Sequence, residues 1–366
     1  MTHLFVIHTE ASLGWGGQEI RVLTEMAGMA ARGHRMLLAC PAEARIFAEA
    51  RARGIQAVAL PIGKKRWSGL LALRRLLKGQ RPDLVVTHSS TDSWLAALAT
   101  RLWRRAPPVV RIRHISAPVG RNAATRWLYA RAAAHVVTTG EGLRRQLIDG
   151  LDLPASHVTS VPTGIDLDKH APRDRNAARR ELGLAEDGRI IGIIATLRSW
   201  KGHRYLLDAF AQLDDKRARL LVVGDGPGFD NLHRQVEALG IAQRVTMPGN
   251  QVEVAPWFAA LDIFALPSYA NEGVPQAIMQ AQAGGLAVVS TPVGCIPEVV
   301  ADGITGLLVP ARDTAALKHA LERLLDDDGL RSRLGAAALV QARERFSDTR
   351  MVDCMETILR KVADES

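Results

Sequence analysis

Apolar and polar positions along the chain repeat one rhythm: a short apolar run, a polar break, then a segment of helical period. The runs in the first half are LFVIHT (4–9), RMLLAC (35–40), LVVTH (84–88), VVRIRH (109–114) and HVVTTG (135–140). Their near-continuous Val, Ile and Leu content predicts strands buried on both faces, as in parallel sheets. The segment GWGGQEIRVLTEMAGMAARGH opens with glycines and places Ile20, Leu23, Ala27 and Ala30 near one helix face, with Gly33 as the stop. The rhythm restarts at RIIGIIATL (189–197). It continues through helices around 204–213 and 230–240 and strands at 219–226, 244–249, 262–268, 286–291 and 305–310. Strand–helix alternation predicts an α/β fold, and two separate runs of it predict two doubly wound domains.

The boundary is expected near VPTGIDLDKHAPRDRNAARR (161–180), where Pro, Gly and charge cluster and apolar content drops. This gives domains at 1–170 and 171–345, followed by a helical segment at 346–366. AALKHALERLL reads as another helix, and the acidic run Asp326–Asp328 as its surface end. A chain of 366 residues with 47% hydrophobic and 23% charged content suits two globular cores without covalent staples.

Charge changes the picture more than composition does. Of the net +9, residues 1–170 carry +12 (24 Lys and Arg, 12 Asp and Glu), and the remainder carries −3. Cations cluster around tryptophans: Lys64, Lys65 and Arg66 precede Trp67; Arg74, Arg75, Lys78 and Arg81 follow; Arg101, Arg104 and Arg105 surround Trp103. Such clusters suit an anionic membrane surface, where each cation adds about 1 kcal/mol. They also suit nucleic acid, although no RRM, helix-turn-helix or zinc pattern accompanies them. A solvated basic face accounts for them equally. Cys40, Cys295 and Cys354 form neither a metal spacing nor a disulfide framework, which points to reduced thiols in the cytoplasm. The N-terminal stretch has no basic leader, and no apolar run approaches the roughly 20 residues of a membrane span.

In parallel sheets ligands bind beyond the carboxyl ends of the strands. SLGWGGQE follows the first strand, and its glycines allow backbone N–H groups to approach an anion at a helix start; a plain tight turn fits as well. It is neither a GxGxxG fingerprint nor a P-loop. Arg198 and Lys201 lie at a strand-to-helix turn, an unfavourable place for cations unless they meet a phosphate or diphosphate. Gly224, Gly226 and Gly228 can cap a strand or approach a ligand backbone-first. His114 and His88 each end a strand and can donate to a substrate or serve structure alone. Asp166 and Asp168 could hold a divalent metal or simply cap turns. Glu272, in LPSYANEGVPQAIMQAQAGGLAVVSTPVG, stands in a loop just ahead of a helix start.

The order of these segments is more specific than any one of them. GGQE, VVTTGEGLRRQL (136–147), VPTGIDLDKH (161–170), GIIATLRSWKGHRYLLDAF (192–210), LLVVGDGP (220–227) and the stretch around Glu272 together resemble the retaining GT-B glycosyltransferases of family 4. The resemblance spans nearly the whole chain. It implies two Rossmann-like domains facing a cleft, an N-terminal acceptor domain, a C-terminal nucleotide-sugar domain, and a final helix returning to the first domain. It implies that Gly16 and Gly17 face the donor diphosphate, that Arg198 and Lys201 neutralise it as it leaves, and that His114 contacts the transferred sugar. Glu272 matches the first Glu of the family's Glu-x7-Glu signature and would sit near the sugar, with Gly226 in the donor site and the Gly273–Pro275 backbone amides (Gly273, Val274, Pro275) contacting sugar hydroxyls. The chain departs from the signature at Gln280, where the family has a second Glu that accepts from the ribose hydroxyls. Gln keeps a neutral acceptor, worth about 0.5–1.5 kcal/mol against 1.5–3 for a charged one.

The expected function is therefore transfer of a sugar from a nucleotide-diphosphate donor to a lipid-linked, lipopolysaccharide or other cell-envelope glycan acceptor. The enzyme would work on the cytoplasmic side of the inner membrane, held there by its basic domain, with no cofactor, no required metal and no nucleic-acid partner. A GT-B nucleotide-sugar epimerase and a basic nucleic-acid-binding protein are the alternatives.

Overall fold

The computed structural model describes residues 3–365, which form two compact units. The first comprises the chain up to Gly164 together with the segment from Asp348 onward; the second runs from Ile165 to Ser347.

In the first unit the elements run β1 (Phe5–Thr9), α1 (Gly17–Ala31), β2 (Arg35–Cys40), α2 (Arg45–Ala52), β3 (Gln56–Ala59), α3 (Trp67–Gln80) and β4 (Leu84–Thr87). Then come α4 (Ser90–Thr100), β5 (Val109–Arg113), α5 (Ala123–Trp127), β6 (His135–Thr138), α6 (Glu141–Leu151) and β7 (Val158–Ser160). All pairings are parallel, in the order β3-β2-β1-β4-β5-β6-β7. Strand order reverses between β1 and β4, which opens a crevice at their carboxyl ends. The sheet is covered on both faces. Val22, Leu23, Met26 and Met29 of α1 pack with Val6, Leu38 and Val86 on one side, and Leu73, Leu77, Leu95 and Ala96 pack with Ile7 and Val85 on the other.

The second unit contains α7 (Arg175–Glu181), β8 (Ile190–Ile194), α8 (His203–Ala211), β9 (Arg219–Val223), α9 (Phe229–Ala238), β10 (Val245–Gly249) and α10 (Ala255–Ala259). It continues through β11 (Ile263–Leu266), α11 (Gln276–Ala283), β12 (Ala287–Ser290), β13 (Leu307–Leu308), α12 (Thr314–Asp326) and α13 (Asp328–Arg345). Its parallel sheet has the order β10-β9-β8-β11-β12-β13, again with a reversal, between β8 and β11. The last helix, α14 (Asp348–Asp364), packs Met351, Val352, Met355 and Leu359 into the core of the first unit. Gly28 of α1 gives it room, since a Cβ there would lie 2.5 Å from Val352.

The units divide before the expected boundary at 170. Residues 165–170 belong to the second unit because the Ile165 N–H donates to the Phe346 carbonyl, Lys169 pairs with Glu253, and His170 packs edge-on against Phe258. Asp327 also departs from expectation: its carboxylate accepts from Leu330 N at 2.8 Å, so the acidic run starts α13 as well as ending α12.

Candidate functional site

In the second unit the chemistry gathers at the switch point, beyond the ends of β8 and β11. After β8 the chain turns through a single 3₁₀ turn, Ser199–Lys201, before α8. Gly202 makes this possible: its φ is +80°, and a Cβ would run into the Pro267 carbonyl oxygen. The close approach brings Lys201 to the loop after β11. Its Nζ donates to both oxygens of Glu272, at 2.8 and 3.0 Å, and Ser268 Oγ donates to Glu272 Oε1 at 2.6 Å. Glu272 is buried and retains charge partners there, as a buried carboxylate requires. Gly294, at φ +61°, lies so close beneath Glu272 that a Cβ would clash with its carbonyl oxygen. The Tyr269 N–H donates to the Trp200 carbonyl at 2.8 Å and ties the two loops together.

Arg198 is exposed, with its guanidinium 5.6 Å from the Trp200 ring centre. The glycines after β9 bind this loop by backbone: Leu197 N donates to Asp225 O, and Gly228 N to Leu197 O, both at 3.0 Å. Gly226, at φ +153°, lets the two loops touch. Arg198, Trp200, His203, Pro227 and Gly228 line a cavity of about 430 Å³. Burial lowers the His203 pKa to about 3, with the nearby Lys201 charge acting the same way, so its ring is neutral.

The first unit has its own polar cluster at the ends of β1, β4 and β5. Asp92 of α4, fully buried, accepts from the His88 and Ser89 amides at 2.8 and 2.7 Å and from Thr9 Oγ1 at 2.9 Å. Glu10 accepts from Ser12 N and from Gln18 Nε2, which shapes the loop that carries Gly16 and Gly17. Burial, with the Asp92 charge adding, raises Glu10 to about 8. His114 is half-buried and hydrogen-bonds His88, its backbone held by Thr139 Oγ1. Gly16 precedes α1 with open space around it: a Cβ would meet nothing nearer than Glu19 at 3.8 Å.

With this geometry in view, comparison with known proteins is decisive. Residues 174–340 match the family described as glycosyl transferases group 1, and residues 15–169 match glycosyltransferase family 4. A Xylanimonas cellulosilytica protein named D-inositol 3-phosphate glycosyltransferase is 33% identical over 291 residues, covering 71% of this chain and 68% of that protein. The chain belongs to the group 1, family 4 glycosyltransferases. A Nocardioides protein of the same name is 31% identical over 71% of this chain, and the chain spans 63% of its length. Anabaena HepE, crystallised in complex with UDP-glucose, shares the fold over 98% of this chain with a TM-score of 0.87 at 23% identity. The two Rossmann-like units are of the GT-B type.

Within this family member the structure brings Lys201 and Glu272 into direct contact; Arg198 opens the same turn, its carbonyl accepting from Lys201 N at 3.1 Å, and Gly226 packs against Leu197. Gly273 and Val274 are buried after Glu272, and Gln280 lies half-buried on α11. Pro275 is corrected in one respect. It caps α11 and has no N–H, so it cannot donate to a sugar hydroxyl. Asp166 accepts from Lys169 N at 2.8 Å in a capping turn, and among the described residues no His, Cys, Asp and Glu cluster could hold a metal. Ser268 was not found from sequence, and neither was the contact between His88 and His114, although both histidines were singled out. Ser268 lies in an ordinary strand end, and nothing in spacing links 8, 88 and 114.

Proposed function

We propose that this chain is a retaining glycosyltransferase that moves a sugar from a nucleotide-diphosphate donor to an acceptor hydroxyl. The Lys201–Glu272–Ser268 cluster at the second unit's switch point carries the reading. A lysine held by a buried carboxylate, with an exposed arginine three residues before it, suits a sugar diphosphate: the cations meet the phosphates and Glu272 stays close to the sugar. In a front-face reaction the departing phosphate oxygen helps take the acceptor proton, while Arg198 and Lys201 hold the developing charge. They fill the role a divalent metal would otherwise take.

The acceptor is proposed to be lipid-linked, at the cytoplasmic face of the inner membrane. Trp67 is 78% exposed, Leu71 one turn on is 49% exposed, and Leu102 is 94% exposed. Lys64, Lys65, Arg66, Arg75, Lys78, Arg101, Arg104 and Arg105 are exposed around them. Arg74 donates to the Ala99 and Arg101 carbonyls and so holds the Leu102 turn beside α3. Exposed Trp and Leu among cations suit an anionic interface. Among the described residues no helix is long and apolar enough to cross a membrane. The names of the relatives favour a second acceptor, a soluble phosphorylated cyclitol. Release of nucleoside diphosphate from a panel of nucleotide sugars, with vesicle-borne glycolipids in one arm and inositol phosphate in the other, separates the two. Turnover that survives EDTA is expected; donor isomerised without acceptor would establish an epimerase instead.

A further inference from the structure

Glu272 is held by two donors of different kinds, and only one of them is free to leave. Lys201 Nζ reaches both carboxylate oxygens, at 2.8 Å to Oε1 and 3.0 Å to Oε2. Ser268 Oγ donates to Oε1 alone, at 2.6 Å. A carboxylate facing a lysine only accepts, so the single hydroxyl hydrogen of Ser268 is committed to it. Oε1 therefore has two donors, whereas among the described residues Oε2 has Lys201 alone.

Burial and support separate the two donors. Ser268 is fully enclosed. The Lys201 side chain keeps 19% of its surface in solvent, against 5% for that of Glu272. The backbone that carries Ser268 is fixed from the neighbouring strand and the loop after it: Ser290 Oγ donates to the Leu266 carbonyl, and Thr291 Oγ1 to the Ser268 carbonyl. Gly294 closes the floor, since a Cβ there would meet the Glu272 carbonyl oxygen. Lys201, by contrast, ends a single 3₁₀ turn and reaches Glu272 on a flexible four-carbon stem. Serine is the rigid partner and lysine the mobile one.

A diphosphate at this turn competes with Glu272 for Lys201. An ammonium group has three N–H donors, and two of those on Lys201 are already spent on the carboxylate. A buried carboxylate stripped of its cation and left with no other donor is costly, which would hold the lysine back. Ser268 removes that obstacle. It keeps one charge-assisted hydrogen bond on Oε1 when Lys201 turns away. The departure empties Oε2, which then accepts from a hydroxyl of the sugar.

We propose that Ser268 is the positioning residue of Glu272 and that it lets Lys201 pass from the carboxylate to the donor diphosphate. The inference rests on the transferase reading for the identity of the anion and of the hydroxyl that replaces the lysine. The exchange breaks no covalent bond and moves no proton: Lys201 stays charged, and Glu272 trades one hydrogen-bond donor for another. Ser268 acts only through Glu272, to which its hydroxyl is bound.

Two measurements on the full chain test it. The first needs no nucleotide: urea midpoints of the wild type, Ser268→Ala, Lys201→Met and the double variant. Either donor covers for the other, so the double variant is expected to lose more than the two single losses combined. Additive losses would overturn the proposal. The second is affinity for whichever of UDP, GDP and ADP the wild type binds best. Ser268→Ala should weaken it about tenfold. Ser268→Cys, which fills the space but donates weakly, should follow Ser268→Ala. In the Glu272→Gln background no carboxylate competes for Lys201, and Ser268→Ala should change nothing. Cysteine behaving as serine would reduce the role to packing, and an equal loss in both backgrounds would likewise overturn the inference. If the wild type binds no nucleotide, the transferase reading fails and the stability measurement alone decides Ser268.

Discussion

Glu25 is a fully buried carboxyl on α1, and its environment decides how its charge depends on pH. Burial raises its pKa from 4.5 to about 7, with the Arg21 charge pulling the other way. A raised carboxyl favours folding while it is protonated in both states. That contribution is complete below the unfolded value and is lost as pH rises through the folded value. Relative to Glu25→Gln, the wild type should therefore lose about 3 kcal/mol of stability between about pH 4.5 and pH 8, measured by urea titration at each pH. Equal pH profiles for the two proteins would show that the carboxyl is not held in this way. None of this was legible beforehand. LFVIHT reads as a buried strand and His8 as one more strand residue, and only the pairing of β1 with β4 places it against His88. Glu272, Arg198 and Lys201 were legible because loop position and charge mark them locally, whereas Ser268 carries no mark until the loop folds back.

At the level of elements, what the periodicity shows depends on what each element buries. Strands such as β8, IIGII, are apolar throughout and stand out. β3 and β7 do not: β3 is a short edge strand whose Gln56 and Ala59 are exposed, and β7 has three residues. Helix α13 also escapes. Besides Arg331 and Leu334 it buries Gly335, Ala338 and Ala342, small residues that give little hydrophobic contrast, and Gly335 packs against the Gly285 carbonyl. The turn between β8 and α8 is the element on which the site most depends. Gly202→Ala combines a left-handed φ of +80° with a clash against Pro267 and should cost about 2 kcal/mol or more. Gly240→Ala, at φ +67° with open space around it, should cost about 1 kcal/mol. Denaturation midpoints compare the two directly, and equal losses would mean that the close approach at Gly202 is not a constraint.

On the scale of the whole molecule, the doubled strand–helix rhythm was plain and the exact division was not. Residues 165–170 are tied to the second unit by contacts with residues far along the chain, including Phe346 and Glu253, which no local composition reveals. The uneven charge has a structural counterpart in the exposed cations, Trp67 and Leu102 of the first unit. The central claim concerns the second unit, where family membership and the Lys201–Glu272 contact meet. It is tested most directly by calorimetric binding of UDP, GDP and ADP to the wild type, to Arg198→Ala and to Gln280→Glu. The account predicts that one nucleotide binds in preference to the others, about tenfold or more weakly after Arg198→Ala and more tightly after Gln280→Glu. Absence of binding by folded wild-type protein, or binding indifferent to Arg198, would contradict it.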